Sequence, residues 1–90
     1  MWTVFERKQL GKTIKKTPKD ILVRYEAWKR TVELLGPQGL KKIRGFNDEA
    51  LRGDWKGFRS SCLGKPWRVI YKVEGKIFQV FVVEIVPHKY

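Results

Sequence analysis

The chain has 90 residues, which is enough for one domain with a modest core but excludes a separate cofactor-binding unit. Its formal net charge of +11 at pH 7 predicts a polyanionic partner such as RNA, DNA or an acidic protein. A hydrophobic content of 42% and an aromatic content of 13% indicate a folded globule and exclude a chain that is disordered throughout.

No membrane segment or secretion signal is expected. The longest apolar run, Val80 to Val83, is followed by Glu84 and is too short to cross a bilayer. Residues 1–5 contain no basic leader, so we expect no signal peptide. The single cysteine cannot form an internal disulfide and fits a reducing compartment. We therefore expect a cytoplasmic protein without a membrane partner.

The first 37 residues predict one strand and two helices. Residues 2–6 are β-branched and aromatic, as in a strand, and residues 7–16 form a basic, weakly amphipathic segment. Thr17 and Asp20 have the spacing of a capping box for a second helix, which ends at Gly36 and Pro37. The apolar stripe predicted to pack this helix on a sheet consists of Ile21, Tyr25, Trp28, Val32 and Leu35.

The rest of the chain predicts a long connection, residues 36–57, and then a β-meander. The predicted strands are Phe58 to Leu63, Trp67 to Glu74 and Lys76 to Val86, with turns at residues 64–66 and at Gly75. We therefore expect a single domain, residues 1–90, of the α+β class. Its mostly antiparallel, four-stranded twisted sheet is packed by two N-terminal helices.

Basic residues are concentrated on the predicted meander and on the connection that precedes it. Between positions 52 and 72 only Asp54 opposes a set of cations, and strand alternation places part of that set on one face of the sheet. Such a face is suited to phosphates. The predicted phosphate-binding residues are Lys41, Lys42, Arg44, Arg52, Lys56, Arg59, Lys65 and Lys72, beside Arg68.

No metal or nucleotide cofactor is expected. The sequence has no His, Cys or Asp cluster with metal-ligand spacing, and its glycines form no dinucleotide or P-loop fingerprint. Cys62 has no histidine near it in the sequence and lies in an alternating strand, so we expect a small buried side chain and not a nucleophile.

Four sequence pieces in this order resemble the RelE/ParE superfamily of bacterial toxin–antitoxin toxins. They are Leu51-Arg52-Gly53, the segment 57–60 (GFRS), the segment 67–71 (WRVIY), and a C-terminal tail with His88 and Tyr90. The detailed pattern is most similar to the YoeB-like ribosome-dependent mRNA interferases. This sequence differs from the YoeB pattern in placing a lysine between the final histidine and tyrosine.

The resemblance implies four catalytic residues and no metal. Glu49 would be the base, Arg68 would stabilise the phosphate, His88 would be the acid, and Tyr90 would position the substrate. These residue types suit RNA cleavage by the 2′-hydroxyl, because a carboxylate and an imidazole can exchange protons and a guanidinium fork matches phosphate oxygens. The implied partners are a cognate antitoxin that is acidic in its binding segment, mRNA and the ribosomal A site.

Two other functions remain open at this point. One is a ParE-like toxin that inhibits DNA gyrase without catalysis, and the other is an RNA-binding module. Glu49 and His88 favour the nuclease, since an inhibitor has no use for an acid and a base. The two residues could also have purely structural roles. Glu49 would then be a loop carboxylate, and Arg68 would pair with an acid, for which Asp48 is the candidate.

Overall fold

Five strands form one mixed sheet in the computed structural model, which describes residues 1–87. The strand order is β1-β5-β4-β3-β2, in which β1 is parallel to β5 and the other neighbours are antiparallel. The strands are β1 (Thr3–Glu6), β2 (Glu49–Ala50), β3 (Arg59–Gly64), β4 (Trp67–Glu74) and β5 (Gln79–Pro87). The predicted α+β class is confirmed, and the fifth strand is the short β2 at the edge beside β3.

Three α-helices and three 3₁₀ turns complete the described chain. The helices are α1 (Leu10–Lys16), α2 (Lys19–Leu35) and α3 (Pro37–Lys42), and the 3₁₀ turns are Arg44–Phe46, Gly53–Trp55 and Gly75–Ile77. The predicted connection 36–57 is therefore a series of short elements. The last hairpin also differs from the prediction, because Gly75–Ile77 and the left-handed Phe78 (φ 54°) form its turn and β5 begins at Gln79.

The core is built around the apolar stripe of α2. Ile21, Tyr25, Trp28 and Val32 are buried, as predicted. The Trp28 ring meets the Tyr71 ring of the sheet at a centroid distance of 5.1 Å, so the aromatics of α2 join the helix to the sheet.

The prediction for Leu35 is wrong, because its side chain is 63% exposed. Leu35 is the last residue of α2, and α3 begins two residues later. Leu40 of α3 is fully buried and belongs to the core cluster. The turn between the helices thus brings a leucine of α3 into the core and leaves the end of α2 exposed.

The predicted capping box is also wrong. Helix α2 begins at Lys19 with Pro18 as its N-cap residue and has no side-chain cap. The Thr17 hydroxyl instead donates a hydrogen bond to the Thr13 carbonyl, 2.8 Å away. Thr17 is the C-cap residue of α1, so its side chain completes the preceding helix.

Gly36 gives the sharpest test of this packing. Its backbone is left-handed (φ 74°), and a Cβ atom there would lie 2.6 Å from Nε1 of Trp2. Gly36→Ala should lower the free energy of unfolding by at least about 1–2 kcal/mol, the cost of a left-handed side chain. A Cβ atom at Gly11 in α1 would face open space, so Gly11→Ala should raise stability by about 0.5–1 kcal/mol. Urea denaturation of both variants measures the two changes in the free energy of unfolding. Equal changes in Gly36→Ala and Gly11→Ala would contradict the prediction.

Candidate active site

A pocket of about 410 Å³ opens beside the β2, β3 and β4 strands. Pockets of this size accept small ligands or single groups of larger ones. Three of the predicted site residues line it, namely Glu49, Lys65 and Arg68, and the other lining residues are Asn47, Cys62 and Pro66. The pocket thus combines one carboxylate and two cations.

Arg68 is held in the sheet by a set of oxygen atoms. It lies on β4, the middle strand, and is only 7% exposed. Its Nε donates to the Ser60 hydroxyl at 2.9 Å, and its Nη2 donates to the carbonyls of Asn47 at 3.1 Å and Ser60 at 3.3 Å. The Glu49 carboxylate lies 3.3 Å from the same Nη2. The guanidinium is therefore both neutralised and fixed in orientation.

The strand register explains why Glu49 and Arg68 meet. Ser60 of β3 pairs with Glu49 of β2 on one side and with Ile70 of β4 on the other. Directly paired residues project to the same face of a sheet, as do residues two apart on one strand. Glu49, Ser60, Ile70 and Arg68 therefore share a face.

Asp48 enters a separate network on the opposite face. Its carboxylate is fully buried and accepts hydrogen bonds from Arg59, through Nε at 3.0 Å and Nη2 at 2.7 Å. The Ser61 hydroxyl, at 2.7 Å, and the Tyr71 hydroxyl donate to its other oxygen. Trp28 Nε1 donates in turn to the Ser61 hydroxyl at 3.0 Å.

The alternative that Asp48 pairs with Arg68 is therefore wrong. Strand alternation places the Ser60 hydroxyl on one face of the sheet and the Ser61 hydroxyl on the other. Glu49 lies on the face of Ser60, and Asp48 lies on the face of Ser61. Asp48 binds Arg59, whereas Glu49 lies beside Arg68.

The Asp48 network sets the charge states of two partners. Burial raises the pKa of Tyr71, and its hydrogen bond to Asp48 raises that pKa further, so the phenol stays neutral. Burial alone would lower the pKa of Arg59, but the Asp48 carboxylate outweighs it and raises that pKa. A neutral phenol and a charged guanidinium both suit a buried carboxylate.

Most of the predicted phosphate-binding residues lie outside the pocket. Arg59 is bound to Asp48, which corrects its expected position on the phosphate-binding face. Lys72 is exposed and lies 3.5 Å from Glu74. The others are exposed on α3 and on the segments that follow it, and they are Lys41, Lys42, Arg44, Arg52 and Lys56.

Three other predicted residues have outcomes of a different kind. Cys62 is not buried as expected but partly exposed, and it lines the pocket. The predicted acid His88 and the predicted substrate-positioning residue Tyr90 lie outside the described residues.

Two residues that hold Arg68 were missed by the sequence analysis. The signal for Ser60 is the pair of adjacent serines on a strand beside an arginine-bearing strand, which places one hydroxyl on each face. Asn47 adopts a left-handed backbone (φ 43°) just before the two acids, a conformation that asparagine tolerates better than most residues.

Within residues 1–87, no group of three or more His, Cys, Asp or Glu side chains could hold a metal ion. In the same part of the chain, no helix is long and apolar enough to cross a membrane.

Several solved structures are similar to this chain. The archaeal RelE–RelB complex from Pyrococcus horikoshii OT3 gives a TM-score of 0.73 at 23% identity, with 97% of this chain and 94% of that chain covered. The YoeB–YefM complex from Staphylococcus aureus gives 0.72 at 15% identity, covering 100% and 99%. The DinJ–YafQ complex from E. coli gives 0.69 at 17% identity, covering 98% and 94%. The chain has the fold of the RelE/ParE toxin superfamily.

No protein-family model matches the sequence, and no curated protein matches it. At these identities the likeness establishes the RelE-like fold alone.

The raised pKa of Tyr71 predicts a loss of stability in alkali. An unfolded tyrosine ionises near pH 10, whereas the folded Tyr71 stays protonated well above that pH. Its contribution is therefore complete below about pH 10 and is lost as the pH rises above it. Tyr71→Phe should lower the free energy of unfolding by about 1 kcal/mol at pH 8, through the lost hydrogen bond.

The difference in the free energy of unfolding between wild type and Tyr71→Phe should then shrink between about pH 10 and 11. Urea denaturation of both proteins across that range checks the sign. A difference that stays constant with pH would contradict it.

Proposed function

We propose that this chain is the toxin of a type II toxin–antitoxin system that cuts mRNA on the ribosome. The observation that supports it most is the pair formed by the Glu49 carboxylate and the buried Arg68 guanidinium, 3.3 Å apart in one pocket. Three of the similar solved structures are complexes of RelE with RelB, YoeB with YefM, and YafQ with DinJ.

The two side chains suit cleavage by the 2′-hydroxyl of RNA. Glu49 removes the proton from the hydroxyl, whose oxygen attacks the adjacent phosphorus. The bond to the 5′-oxygen breaks, and the products are a 2′,3′-cyclic phosphate and a 5′-hydroxyl. The Glu49 side chain is 55% exposed, so a substrate can reach it. No metal is needed when a base, an acid and a cation are supplied by side chains.

Arg68 supplies the cation in a fixed position. Its Nε and Nη2 are bound by Ser60 and Asn47. A donor that is already oriented stabilises developing charge without reorganisation, and losing one such donor costs about 10²–10³ in rate.

We assign the acid role to His88 and substrate positioning to Tyr90. The last described residue, Pro87, pairs with Trp67, the neighbour of Arg68 on β4. His88 and Tyr90 lie outside the described residues, so these two roles rest on the resemblance. An imidazole titrates near neutral pH and can protonate the departing 5′-oxygen.

The remaining positive charge suits the larger partners. Lys65 lines the pocket and can meet a neighbouring phosphate. The exposed cations outside the pocket are suited to ribosomal RNA in the cytoplasm and to an acidic segment of a cognate antitoxin. They are Lys41, Lys42, Arg44, Arg52, Lys56 and Lys72.

The test is cleavage of a defined message on translating ribosomes, with ends mapped by primer extension. Wild type should cut, whereas Arg68→Gln should be slower by about 10²–10³ and Glu49→Gln by about 10²–10⁴. The matched control is Lys76→Gln, which removes one exposed charge from the turn between β4 and β5. Its rate should stay within about twofold of wild type, as expected for a residue that touches no substrate.

Intact message with wild-type protein would overturn the nuclease proposal, provided that the protein is folded. If the same protein inhibits gyrase-catalysed supercoiling, the ParE-like alternative gains the support. Equal losses in Arg68→Gln and Lys76→Gln would indicate a general charge effect and would contradict the assigned role of Arg68.

A further inference from the structure

The segment 47–49 is attached to both faces of the sheet. On the pocket face, the Asn47 carbonyl accepts from Arg68 Nη2 at 3.1 Å, and the Glu49 carboxylate lies 3.3 Å from the same nitrogen. On the helix face, the carboxylate of Asp48 is fully buried. The donors that bind Asp48 are Arg59, Ser61 and Tyr71.

We infer that Asp48 is a positioning residue, whose carboxylate fixes the segment 47–49 so that Glu49 and the Asn47 carbonyl both meet Arg68. This inference rests on the proposed function, in which Glu49 and Arg68 act on the scissile phosphate. Asp48 itself is buried on the other face and does not touch a substrate in the pocket.

The β2 strand by itself holds this segment only weakly. Strand β2 has two residues and pairs with β3 only through Glu49 with Ser60 and Ala50 with Arg59. An edge of two residue pairs is marginally stable by itself. The left-handed backbone of Asn47 adds a conformational cost. The four hydrogen bonds to Asp48 offset these weaknesses.

The hydrogen bonds of Asp48 connect to the buried core of the protein. Ser61 accepts from Trp28 Nε1 at 3.0 Å, and both Trp28 and Tyr71 are fully buried. A shift of Asp48 would therefore break contacts that reach helix α2 through the core. The position of Glu49 is thus tied to core packing and not only to its pairing with Arg68.

Two variants and one control test this inference. Asp48→Asn removes the charge that binds Arg59, and Tyr71→Phe removes one donor while leaving the Asp48 to Arg59 pair intact. Val80→Ala is the control, because Val80 is fully buried on β5 at the end of the sheet away from the pocket. All proteins are compared at a temperature where denaturation curves show each to be folded.

Two measurements are made on each protein. One is kcat and KM for message cleavage. The other is the NMR signal of the Arg68 Nε proton, which is bound to Ser60, and its exchange with solvent. Asp48→Asn should lower kcat by about 10–100-fold, as for groups that orient a catalytic residue, and should leave KM within about twofold. Its Arg68 Nε proton should exchange about tenfold faster through local opening.

The outcomes are distinct. Tyr71→Phe should change kcat and proton exchange in the same direction as Asp48→Asn but less, and Val80→Ala should change neither. Unchanged exchange or unchanged kcat in Asp48→Asn would overturn the inference, as would an equal fall in Val80→Ala. If wild type cuts no message, the proposed function fails, and the inference about Asp48 is then judged from solvent exchange of the Arg68 Nε proton alone. Faster exchange in Asp48→Asn than in Val80→Ala then supports a positioning role, and equal exchange overturns it.

Discussion

Burial of the Arg68 guanidinium on the middle strand is the constraint on which the rest of the site depends. A buried cation is costly unless its donors are satisfied and its charge is balanced. The partners come from two places, the Ser60 hydroxyl on the adjacent strand and the segment that carries Asn47 and Glu49. The short strand β2, the left-handed residue Asn47 before it and the Glu49 carboxylate together place oxygen atoms around this guanidinium.

The elements that were predictable from the sequence are those in which local periodicity agrees with the final packing. The α2 stripe from Ile21 to Val32 and the alternation along β4 both follow from burial on one face. Where tertiary contacts decide, local rules fail. Thr17 bonds back to Thr13 in the preceding helix, and Leu35 is left exposed where the chain turns into α3. The capping pattern carries no information about which of two adjoining helices a threonine completes.

For the site, the sequence indicated Glu49 and Arg68 through a resemblance, and the register brings them together. It did not indicate which acid meets which arginine. Asp48 and Glu49 are adjacent, as are Ser60 and Ser61, so the pairing depends on which member of each pair faces the helices. A shift of one residue in β2 would exchange the two acids. That choice is made by long-range pairing of β2 with β3, which composition and spacing do not encode.

The two adjacent acids show how one segment can serve both stability and chemistry. Asp48 is fully buried and carries four hydrogen bonds, so it cannot meet a substrate. Glu49 is 55% exposed, and within residues 1–87 its ion-pair partner is Arg68. Because Asp48 binds Arg59 and Glu49 lies beside Arg68 on the other face of the sheet, order can be imposed through one carboxylate while its neighbour stays open to a ligand. A preorganised site requires a fixed residue close to the reactive group. Here Asp48 and Glu49 are consecutive residues, and their side chains lie on opposite faces of the sheet.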